Sequence, residues 1–457
     1  MTSPSDPSKN GHGHQSGDPD QPDAQRDDPP LSPIVPGRPG RPSFSLEALR
    51  ERVERQFQDE TAHRADILLE LDTEQRRRDL LGEIAEYVLA VEAITLSPQE
   101  RRALIDAAYR NLFTFGPLDD YLHEDAITEI TINGPHSIHV RRGMGTLEPV
   151  EARFDDRFHL ASLLERVLAG AGAVLSDDDP FLEIGVVLAG RAARVSLIAP
   201  PISPDYSLEI RLHPRQPVLI DDLGMMSPQA ATLLVAILNA GHGLLIVGDV
   251  GLGKTTLAGA LLASLAEAPP DFAPSIIAVE RAAEMHLSPA VTRRVPVPPT
   301  PDDAGQDFAS TIQAALDETP DWLVVDEIRG DESAAVWDAL TREDAPCYLW
   351  VFRGDTQPDR LRSAFGMVIR KQHPAVEQAA IHAALARHLP FLVTIKRVDD
   401  QPRLQSIAEW MLGPVDDVSP GDAPLTLRPL LAAEGDTWSF TGNLPRHDLD
   451  LPRDFWP

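Results

Sequence analysis

Apolar residues recur at helical spacing in two stretches near the start of the chain: Leu46, Leu49, Val53 and Phe57, then Leu81, Ile84, Val88 and Leu89. This spacing places each set on one face of a helix, and Arg and Glu fill many of the positions between them. We therefore predict a helical region over residues 44–115. Residues 1–43 have no hydrophobic period and are rich in Pro, Gly, Ser and Asp, which predicts a disordered tail.

Beyond Gly116 the pattern changes to alternation. Ile127 to Ile132 alternates apolar and polar residues, as a half-buried strand does, and Asn133-Gly134 follows as a turn. The remaining predicted elements are strands at 138–140, 185–188, 193–198 and 207–212 and a helix at 158–168. Together they predict a small α+β domain over residues 116–213.

Short, continuous apolar runs separated by helical segments follow from about Pro217 to Leu412. The runs lie at 244–247, 276–279, 323–325, 348–351 and 392–395. Such runs are typical of strands buried on both faces of a parallel sheet, so we predict an α/β domain with a doubly wound, mostly parallel sheet over residues 214–415. Residues 416–457, rich in Asp, Pro and Gly at their start, are predicted to form a C-terminal extension with a hairpin around Gly435.

The composition narrows the possible partners. The 457 residues include 41 Lys and Arg against 71 Asp and Glu, a net charge of −30. Because nucleic acid partners require a basic footprint, we expect none. Cys347 is the only cysteine. A single cysteine excludes a disulfide framework and a zinc site of two or four cysteines, so we expect no zinc.

The location of the protein is predicted from its apolar runs. The first thirty residues are polar and do not resemble a secretory leader. The longest apolar run, 233–248, contains Asn239 and His242 and is shorter than the roughly 20 residues that a membrane-spanning helix needs. We therefore expect a cytoplasmic protein.

The strongest motif is Gly248-Asp-Val-Gly-Leu-Gly-Lys-Thr-Thr256, a complete G-x-x-x-x-G-K-[ST] between a predicted strand and a helical segment. Its glycines let the backbone curl so that several N–H groups point into one concavity, at a helix N-terminus that favours anions. Lys254 would place its charge on the β- and γ-phosphates, and Thr255 would hold Mg²⁺. The motif thus predicts ATP and Mg²⁺ as cofactors. The nucleotide-binding residues that it predicts are Gly248, Gly251, Gly253, Lys254, Thr255 and Thr256.

A second acidic strand end complements this motif. Leu323-Val-Val-Asp326-Glu327 is an apolar strand with two carboxylates at its carboxyl end, where open α/β sheets bind their ligands. Asp326 is predicted to reach Mg²⁺, directly or through water. Glu327 is predicted to polarise the attacking water.

These residues resemble the secretion ATPase superfamily that powers type II and type IV secretion and pili, and most of all its Flp/Tad pilus assembly branch. The likeness runs from about Asn111 to Asn443. The segments that carry it are Phe115-Gly-Pro-Leu118, Ile127 to Gly134, Arg194-Val195, Ala199-Pro-Pro201, Glu209-Ile-Arg211, Ala278 to Glu284, Pro320-Asp321, Val325 to Gly330, Ile407 to Leu412 and Leu425 to Gly442.

The resemblance implies a RecA-like P-loop ATPase domain and a hexameric ring of two-domain subunits, with ATP between the small domain and the RecA-like domain. It implies that Glu327 and Lys254 are catalytic and that Glu284 assists water activation. Arg194 and Arg211 of the small domain are then expected to approach the phosphates. The implied output is ATP-driven motion that pushes on an inner-membrane platform protein, at the inner face of the cytoplasmic membrane, during pilus assembly or secretion.

Several positions depart from the family pattern. Arg281 stands where the family has the Asp of a Glu-Asp pair, and Arg353 stands where the family has a histidine. Val297 and Asp317 stand at two positions where the family has arginines. Exchanging a histidine for Arg353 keeps positive charge and hydrogen-bond donors but removes a group that titrates near neutral pH. A γ-phosphate sensor could survive this exchange, but a proton-handling role could not.

Two other functions stay open on the sequence. The departures at Arg281, Asp317 and Arg353 are compatible with a degenerate paralogue that binds nucleotide and acts as a non-hydrolysing regulatory or assembly subunit. A kinase or GTPase is disfavoured because no guanine-reading Asn-Lys-x-Asp appears, and Thr394-Ile-Lys-Arg-Val-Asp399 has the wrong spacing.

Overall fold

The computed structural model describes residues 45–62, 71–175, 180–266, 273–297, 304–413, 425–435 and 437–457. The disordered tail predicted for residues 1–43 lies outside this part of the chain, and so do residues 416–424 of the predicted C-terminal extension. The described chain divides into two compact units, residues 1–112 and residues 113–457. Each unit is described by itself.

The first unit is helical, as the spacing of its apolar residues predicts. Its helices are α1 (Leu46–Ala62), α2 (Glu74–Val91) and α3 (Pro98–Phe113), which ends at the unit boundary. Thr73 caps α2 by accepting a hydrogen bond from the amide of Arg76, which satisfies one of the free N–H groups of a helix start. The side chains that the periodicity places on the inner faces, such as Val53 and Leu81, are fully buried.

The second unit begins with a six-stranded antiparallel sheet. Its strands are β1 (Ile127–Asn133), β2 (Ile138–Arg142), β3 (Leu147–Pro149), β4 (Phe181–Leu188), β5 (Arg191–Ile198) and β6 (Ser207–Leu212). They lie in the order β3-β2-β1-β6-β5-β4. The helices are the short α4 (Asp119–His123) and α5 (Arg157–Gly170), whose leucines join the core of the sheet. Alternate residues of β5 are buried, so the remaining ones, including Arg194, lie on the other face.

A nine-stranded sheet forms the rest of the second unit. Its strands are β7 (Leu244–Gly248), β8 (Ile276–Val279), β9 (Val291–Arg294), β10 (Trp322–Ile328), β11 (Cys347–Arg353), β12 (Phe391–Val398), β13 (Gln401–Leu412), β14 (Leu425–Glu434) and β15 (Thr437–Phe440). The order is β15-β14-β13-β12-β7-β11-β10-β8-β9. The pairs from β12 to β9 are parallel, and β13 to β15 continue the sheet antiparallel.

Helices cover both faces of this nine-stranded sheet, called the large sheet below. They are α6 (Pro228–Asn239), α7 (Lys254–Ala266), α8 (Phe308–Asp317), α9 (Ser333–Thr341), α10 (Pro358–Arg370) and α11 (Gln378–His388). α6 and α7 form one apolar core with the sheet, and the other four helices form a second core. All five residues of β7 are buried, which is why the apolar runs of the parallel strands show no alternation. The predicted α/β fold with a doubly wound, mostly parallel sheet is confirmed.

The C-terminal strands contain the one hairpin that the sequence predicts there. β14 and β15 pair antiparallel on either side of Gly435, whose φ of 63° is in the left-handed region that glycine tolerates. Within the described residues, no helix is both long and apolar enough to cross a membrane.

Gly185 lets the six-stranded sheet, called the small sheet below, lie directly against the large sheet. A Cβ atom on Gly185 of β4 would lie 2.5 Å from the amide nitrogen of Ala283 and 2.9 Å from the Cα of Ala282. Both contacts are with main-chain atoms that follow β8, so the clash could not be relieved by a side-chain rotation. We expect Gly185→Ala to lower the free energy of unfolding by roughly 1–3 kcal/mol, the usual cost of overpacking.

The matched control is Gly170→Ala. Gly170 ends α5, and a Cβ there would have nothing within 4 Å. Urea unfolding followed by circular dichroism compares the two variants. Equal stability of Gly185→Ala and Gly170→Ala would show that the close approach at β4 has no energetic role.

Candidate functional site

The phosphate-binding loop connects β7 to α7, and its glycines are required for two different reasons. Gly248 ends β7 beside β12, where a Cβ would lie 2.8 Å from the carbonyl oxygen of Ile395. Gly251 and Gly253 have φ values of 73° and 72°, which side-chain-bearing residues adopt only with strain. The loop therefore has the backbone that the motif predicts, and α7 begins at Lys254.

Lys254 is buried at the start of α7, with 6% of its surface exposed. Its Nζ donates a hydrogen bond to the carbonyl oxygen of Asp249, at 2.7 Å. Burial lowers the pKa of Lys254, although the carboxylates of Glu327 and Asp326 act in the opposite direction. The ammonium group is thus held inside the loop, close to the carboxylates of β10.

Thr255 and Asp326 meet across α7 and β10. The Thr255 hydroxyl donates to Asp326 Oδ1 at 3.0 Å, and the carboxylate is 5% exposed. Burial, together with the nearby charges of Glu284 and Glu280, raises the pKa of Asp326 to about 8. A cation would offset this crowding of negative charge, and a hydroxyl beside a carboxylate presents the hard oxygen atoms that Mg²⁺ prefers.

The described residues do not form a metal site of three or more His, Cys, Asp or Glu side chains. A Mg²⁺ ion held by Thr255 and Asp326 would therefore need further oxygen ligands. Nucleotide phosphates and water supply such ligands in sites of this kind. The two residues fit a cation that binds together with a nucleotide.

Glu327 follows Asp326 in a strained conformation. Its φ is 64°, and the pairing of β10 with β11 shifts register between Val325 and Ile328. Its Oε2 accepts a hydrogen bond from Arg329 at 2.7 Å and lies 3.5 Å from Arg194 Nη1. Burial opposes ionisation of Glu327, but Arg329, Arg194 and Lys254 outweigh it and lower the pKa of this carboxyl. Non-glycine residues in the left-handed region cluster at functional sites, and the strain at Glu327 agrees with the role predicted for it.

Arg194 connects the small sheet to the carboxylates of the large one. Its Nε lies 3.2 Å from Glu284 Oε1 and its Nη1 lies 3.5 Å from Glu327 Oε2, with 13% of the side chain exposed. His213 Nε2 lies 3.2 Å from the other oxygen of Glu284. Burial raises the pKa of Glu284, but His213 and Arg194 reverse the effect and the net shift is downward. One guanidinium thus bridges the two carboxylates that the sequence predicts to act on water.

Three other predicted residues form no ion pair or hydrogen bond with these carboxylates in the described part of the chain. Arg211 is on β6 directly opposite Arg194, and its ion pair is with Glu209, at 2.6 Å. Arg353 ends β11 opposite Gly248 and is exposed. Thr256 lines a small cavity on the α7 side of the loop, next to Glu284. The structure therefore brings Lys254, Thr255, Asp326, Glu327, Glu284 and Arg194 together, and places Arg211, Arg353 and Thr256 at the edge of that group.

Sequence reasoning missed two residues that hold Glu327 and Glu284 in place, Arg329 and His213. Arg329 forms ion pairs with Glu327 at 2.7 Å and with Glu183 of β4 at 3.1 Å, and so provides a second link between the sheets. Arg329 stands two residues after Glu327, a spacing that could have directed attention to it. For His213 no local signal exists, because its partner is 71 residues away in the chain.

Arg281, the departure from the family's Glu-Asp pair, supports the loop after β10. Its Nε donates to the carbonyl oxygen of Glu327 at 2.9 Å, and its guanidinium binds Asp331 at 2.6 and 2.8 Å and Glu332 at 2.7 Å. The guanidinium carbon also lies 4.2 Å from the centre of the Phe308 ring. Glu332 is fully buried, and its pKa is raised to about 7, chiefly by burial. Arg281 therefore compensates carboxylates and fixes the main chain at Glu327.

Comparison with known proteins gives a family match and several relatives. The family of type II/IV secretion system proteins matches residues 113–341, half of the chain. A "putative conjugal transfer protein" of Mycobacterium tuberculosis is 30% identical over 297 residues, which are 62% of this chain and 80% of the relative.

Two solved structures are also similar. The ATPase DotB of Legionella pneumophila is 18% identical with a TM-score of 0.46, over 67% of this chain and 82% of that one. The VirB11 ATPase of the Brucella suis type IV secretion system is 18% identical with a TM-score of 0.32, over 65% of this chain and 97% of that one.

Removing Arg281 tests its role as a structural cation. We expect Arg281→Ala to lower the free energy of unfolding by about 3 kcal/mol, because it leaves buried Glu332 without its cationic partner. Arg281→Asp, which introduces the family's residue, should be less stable still because it adds a carboxylate beside Asp331. Chemical unfolding measures both changes.

Arg294→Ala is the control for this experiment. Arg294 pairs with exposed Glu318 at 3.0 Å, so its loss should cost less than about 1 kcal/mol. An Arg281→Ala protein as stable as Arg294→Ala would disprove the structural role.

Proposed function

The chain belongs to the type II/IV secretion system protein family, and from this premise we propose that it is an ATP-hydrolysing motor that assembles as a hexamer. The family membership supports a role in secretion or pilus assembly. The observation that carries the ATPase proposal is the site itself. A phosphate-binding loop, a hydroxyl and carboxylate suited to Mg²⁺, and two further carboxylates are gathered at the carboxyl ends of β7, β8 and β10.

Each group has a chemical role in this proposal. The backbone N–H groups of the loop and Lys254 bind the phosphates of ATP, and Thr255 and Asp326 hold the cation. Mg²⁺, when bound, supplies charge neutralisation on the β- and γ-phosphates. Glu327 accepts hydrogen bonds from the attacking water and orients it, and Glu284 assists from the segment that follows β8.

Arg194 and Arg329 limit what Glu327 can do before nucleotide binds. Both guanidinium groups bind its carboxylate, so the carboxylate is stabilised in its ionised form but occupied. A γ-phosphate close to these groups would compete with the Glu327 carboxylate for the guanidinium donors, because guanidinium groups bind phosphate as well as carboxylate. Glu327 would then be released to bind water. Because Arg194 is on the small sheet and Arg329 also binds Glu183, the same exchange would move the small sheet relative to the loop.

This coupling supports mechanical work as the output. We assign the chain to the Flp/Tad pilus assembly branch on the sequence motifs, with an inner-membrane platform protein as partner. The motor acts in the cytoplasm, at the inner face of the cytoplasmic membrane. Arg211 and Arg353 are further phosphate contacts in the assembled ring, where ATP lies between the two domains.

A nucleotide-gated subunit without hydrolysis is the second candidate. The observation that favours it is the pair of ion contacts on Glu327, since a glutamate that never leaves Arg194 and Arg329 could not orient water. The contacts of Arg281 argue against this candidate. Arg281 binds Asp331 and the main chain of Glu327, so its presence in place of the family's Asp supports the loop after β10 and does not remove a carboxylate of the site. Measured turnover decides between the two candidates.

Glu327→Gln tests the assignment of the catalytic carboxylate. The amide keeps the shape of the side chain but cannot accept a proton, so turnover should fall by at least about a hundredfold, the lower range for loss of a general base. ATP binding should remain, because Lys254 and the loop are unchanged. Steady-state phosphate release and fluorescent-nucleotide titration provide the two readouts.

Glu318→Gln serves as the matched control, because Glu318 is an exposed carboxylate paired with Arg294 away from the loop. It should leave both readouts unchanged. Normal turnover by Glu327→Gln would remove Glu327 from the mechanism.

A further inference from the structure

A cationic cleft borders the phosphate-binding loop at Asp249, Val250 and Leu252. Its volume is about 840 Å³, and it lies at the carboxyl ends of β7, β11 and β12. The side chains that matter for its charge are Arg353, Lys396 and Arg397, all exposed. The cleft adjoins the carboxylate group around Asp326, because Arg329, which pairs with Glu327, is part of its lining.

Strand register explains why these cations flank the loop. β7 lies between β11 and β12 and ends at Gly248, where the chain turns into the loop. β11 pairs with β7 until Arg353 lies opposite Gly248. β12 pairs as far as Thr394 opposite Val247 and then continues beyond the end of β7, so Lys396 and Arg397 run alongside the loop.

The three cations are close to carboxylates without being ion-paired to them: Lys396 helps to lower the pKa of Asp355, after the amide of Gln357 and the guanidinium of Arg360. Within the described part of the chain, none of them forms an ion pair or a side-chain hydrogen bond, although the neighbouring Arg329 and Arg360 do. Of the two carboxylates in the cleft, Asp355 is bound by Arg360 at 2.7 Å, and Asp249 accepts a hydrogen bond from the amide of Val250. The four basic side chains of the lining, Arg329 included, thus outnumber its two carboxylates, which is a local excess of positive charge in a chain of net charge −30.

We propose that Lys396 and Arg397 contact the terminal phosphate of a nucleoside triphosphate, together with Arg353. This inference rests on the proposed nucleotide binding and adds two residues that no motif in the sequence identifies. Two observations favour a phosphate as the ligand. The cleft opens onto the loop that is proposed to bind phosphates. One ammonium and two guanidinium groups together offer hydrogen-bond donors to the several anionic oxygens of a phosphate. The phosphate belongs either to the nucleotide on the same chain or to one on an adjoining copy.

The double variant Lys396→Ala/Arg397→Ala of the full chain tests the proposal. Affinity for a non-hydrolysable ATP analogue should fall by about tenfold or more, while affinity for ADP should change by less than about threefold, because ADP lacks the terminal phosphate. Lys396→Arg/Arg397→Lys should keep most of the affinity. Binding is measured by titration with Mg²⁺ present.

Arg387→Ala/Arg453→Ala is the matched control, since it removes two exposed cations at other ends of the fold. Its affinity for both nucleotides should equal that of the wild-type chain. Wild-type affinity of Lys396→Ala/Arg397→Ala for the triphosphate analogue would overturn the proposal. Loss of self-association at unchanged nucleotide affinity would also overturn it, and would assign the cleft to acidic side chains of a second copy.

Mixed assemblies identify which chain supplies the phosphate. Lys254→Ala subunits are mixed with Lys396→Ala/Arg397→Ala subunits, so that each supplies what the other lacks. Recovery of triphosphate affinity would show that the cations act on an adjoining copy, and absence of recovery would show that they act within one chain.

Wild-type binding separates this inference from the proposed function. If the wild-type chain binds ATP and the double variant binds it equally well, only the role of Lys396 and Arg397 fails. If the wild-type chain binds no nucleotide, the proposed function fails as well.

Discussion

The guanidinium of Arg194 between Glu284 and Glu327 is the interaction on which the site depends. Three carboxylates, those of Glu284, Asp326 and Glu327, converge where the parallel strands end, and burying them without cations would be strongly unfavourable. Arg194 places one positive charge between two of them from a different sheet, and Arg329 adds a second at Glu327. The predicted site therefore draws side chains from both sheets, and the packing of the small sheet against the large one, which Gly185 permits, brings Arg194 to these carboxylates.

This arrangement gives one set of ion pairs two functions. The contacts from Arg194 and Arg329 keep Glu327 ionised, and they also connect β4 and β5 to the strand that holds it. A phosphate that attracts the same guanidinium groups would change both the availability of the carboxylate and the position of the small sheet. The strained backbone of Glu327 agrees with this exchange of partners. A residue with a positive φ keeps that conformation only where the surrounding structure holds its main chain in place. Arg281 provides that support by donating a hydrogen bond to the carbonyl oxygen of Glu327.

The sequence predicts the parts of the fold whose signals are local. Buried runs such as Leu244 to Val247 identify the parallel strands, and the complete glycine-lysine-threonine motif identifies the loop. It misses long-range pairings, since Arg194 and Glu327 are 133 residues apart and no periodicity links them. It also underestimates Arg281, which looks like a damaged catalytic position until its acidic partners Asp331 and Glu332 are seen beside it. Arg211 stays a prediction, because its structural partner is Glu209.

In the proposed function, these groups hydrolyse ATP. The most direct measurement is Mg²⁺-dependent ATP turnover by the full-length chain, taken from the gel-filtration fraction of highest mass because the site can require neighbouring subunits. Lys254→Ala is the blank, since it removes the cation that the loop holds. We expect turnover above that blank, and we expect it to disappear when Mg²⁺ is chelated. ATP binding by the wild-type chain with turnover no greater than the blank would contradict the proposed function.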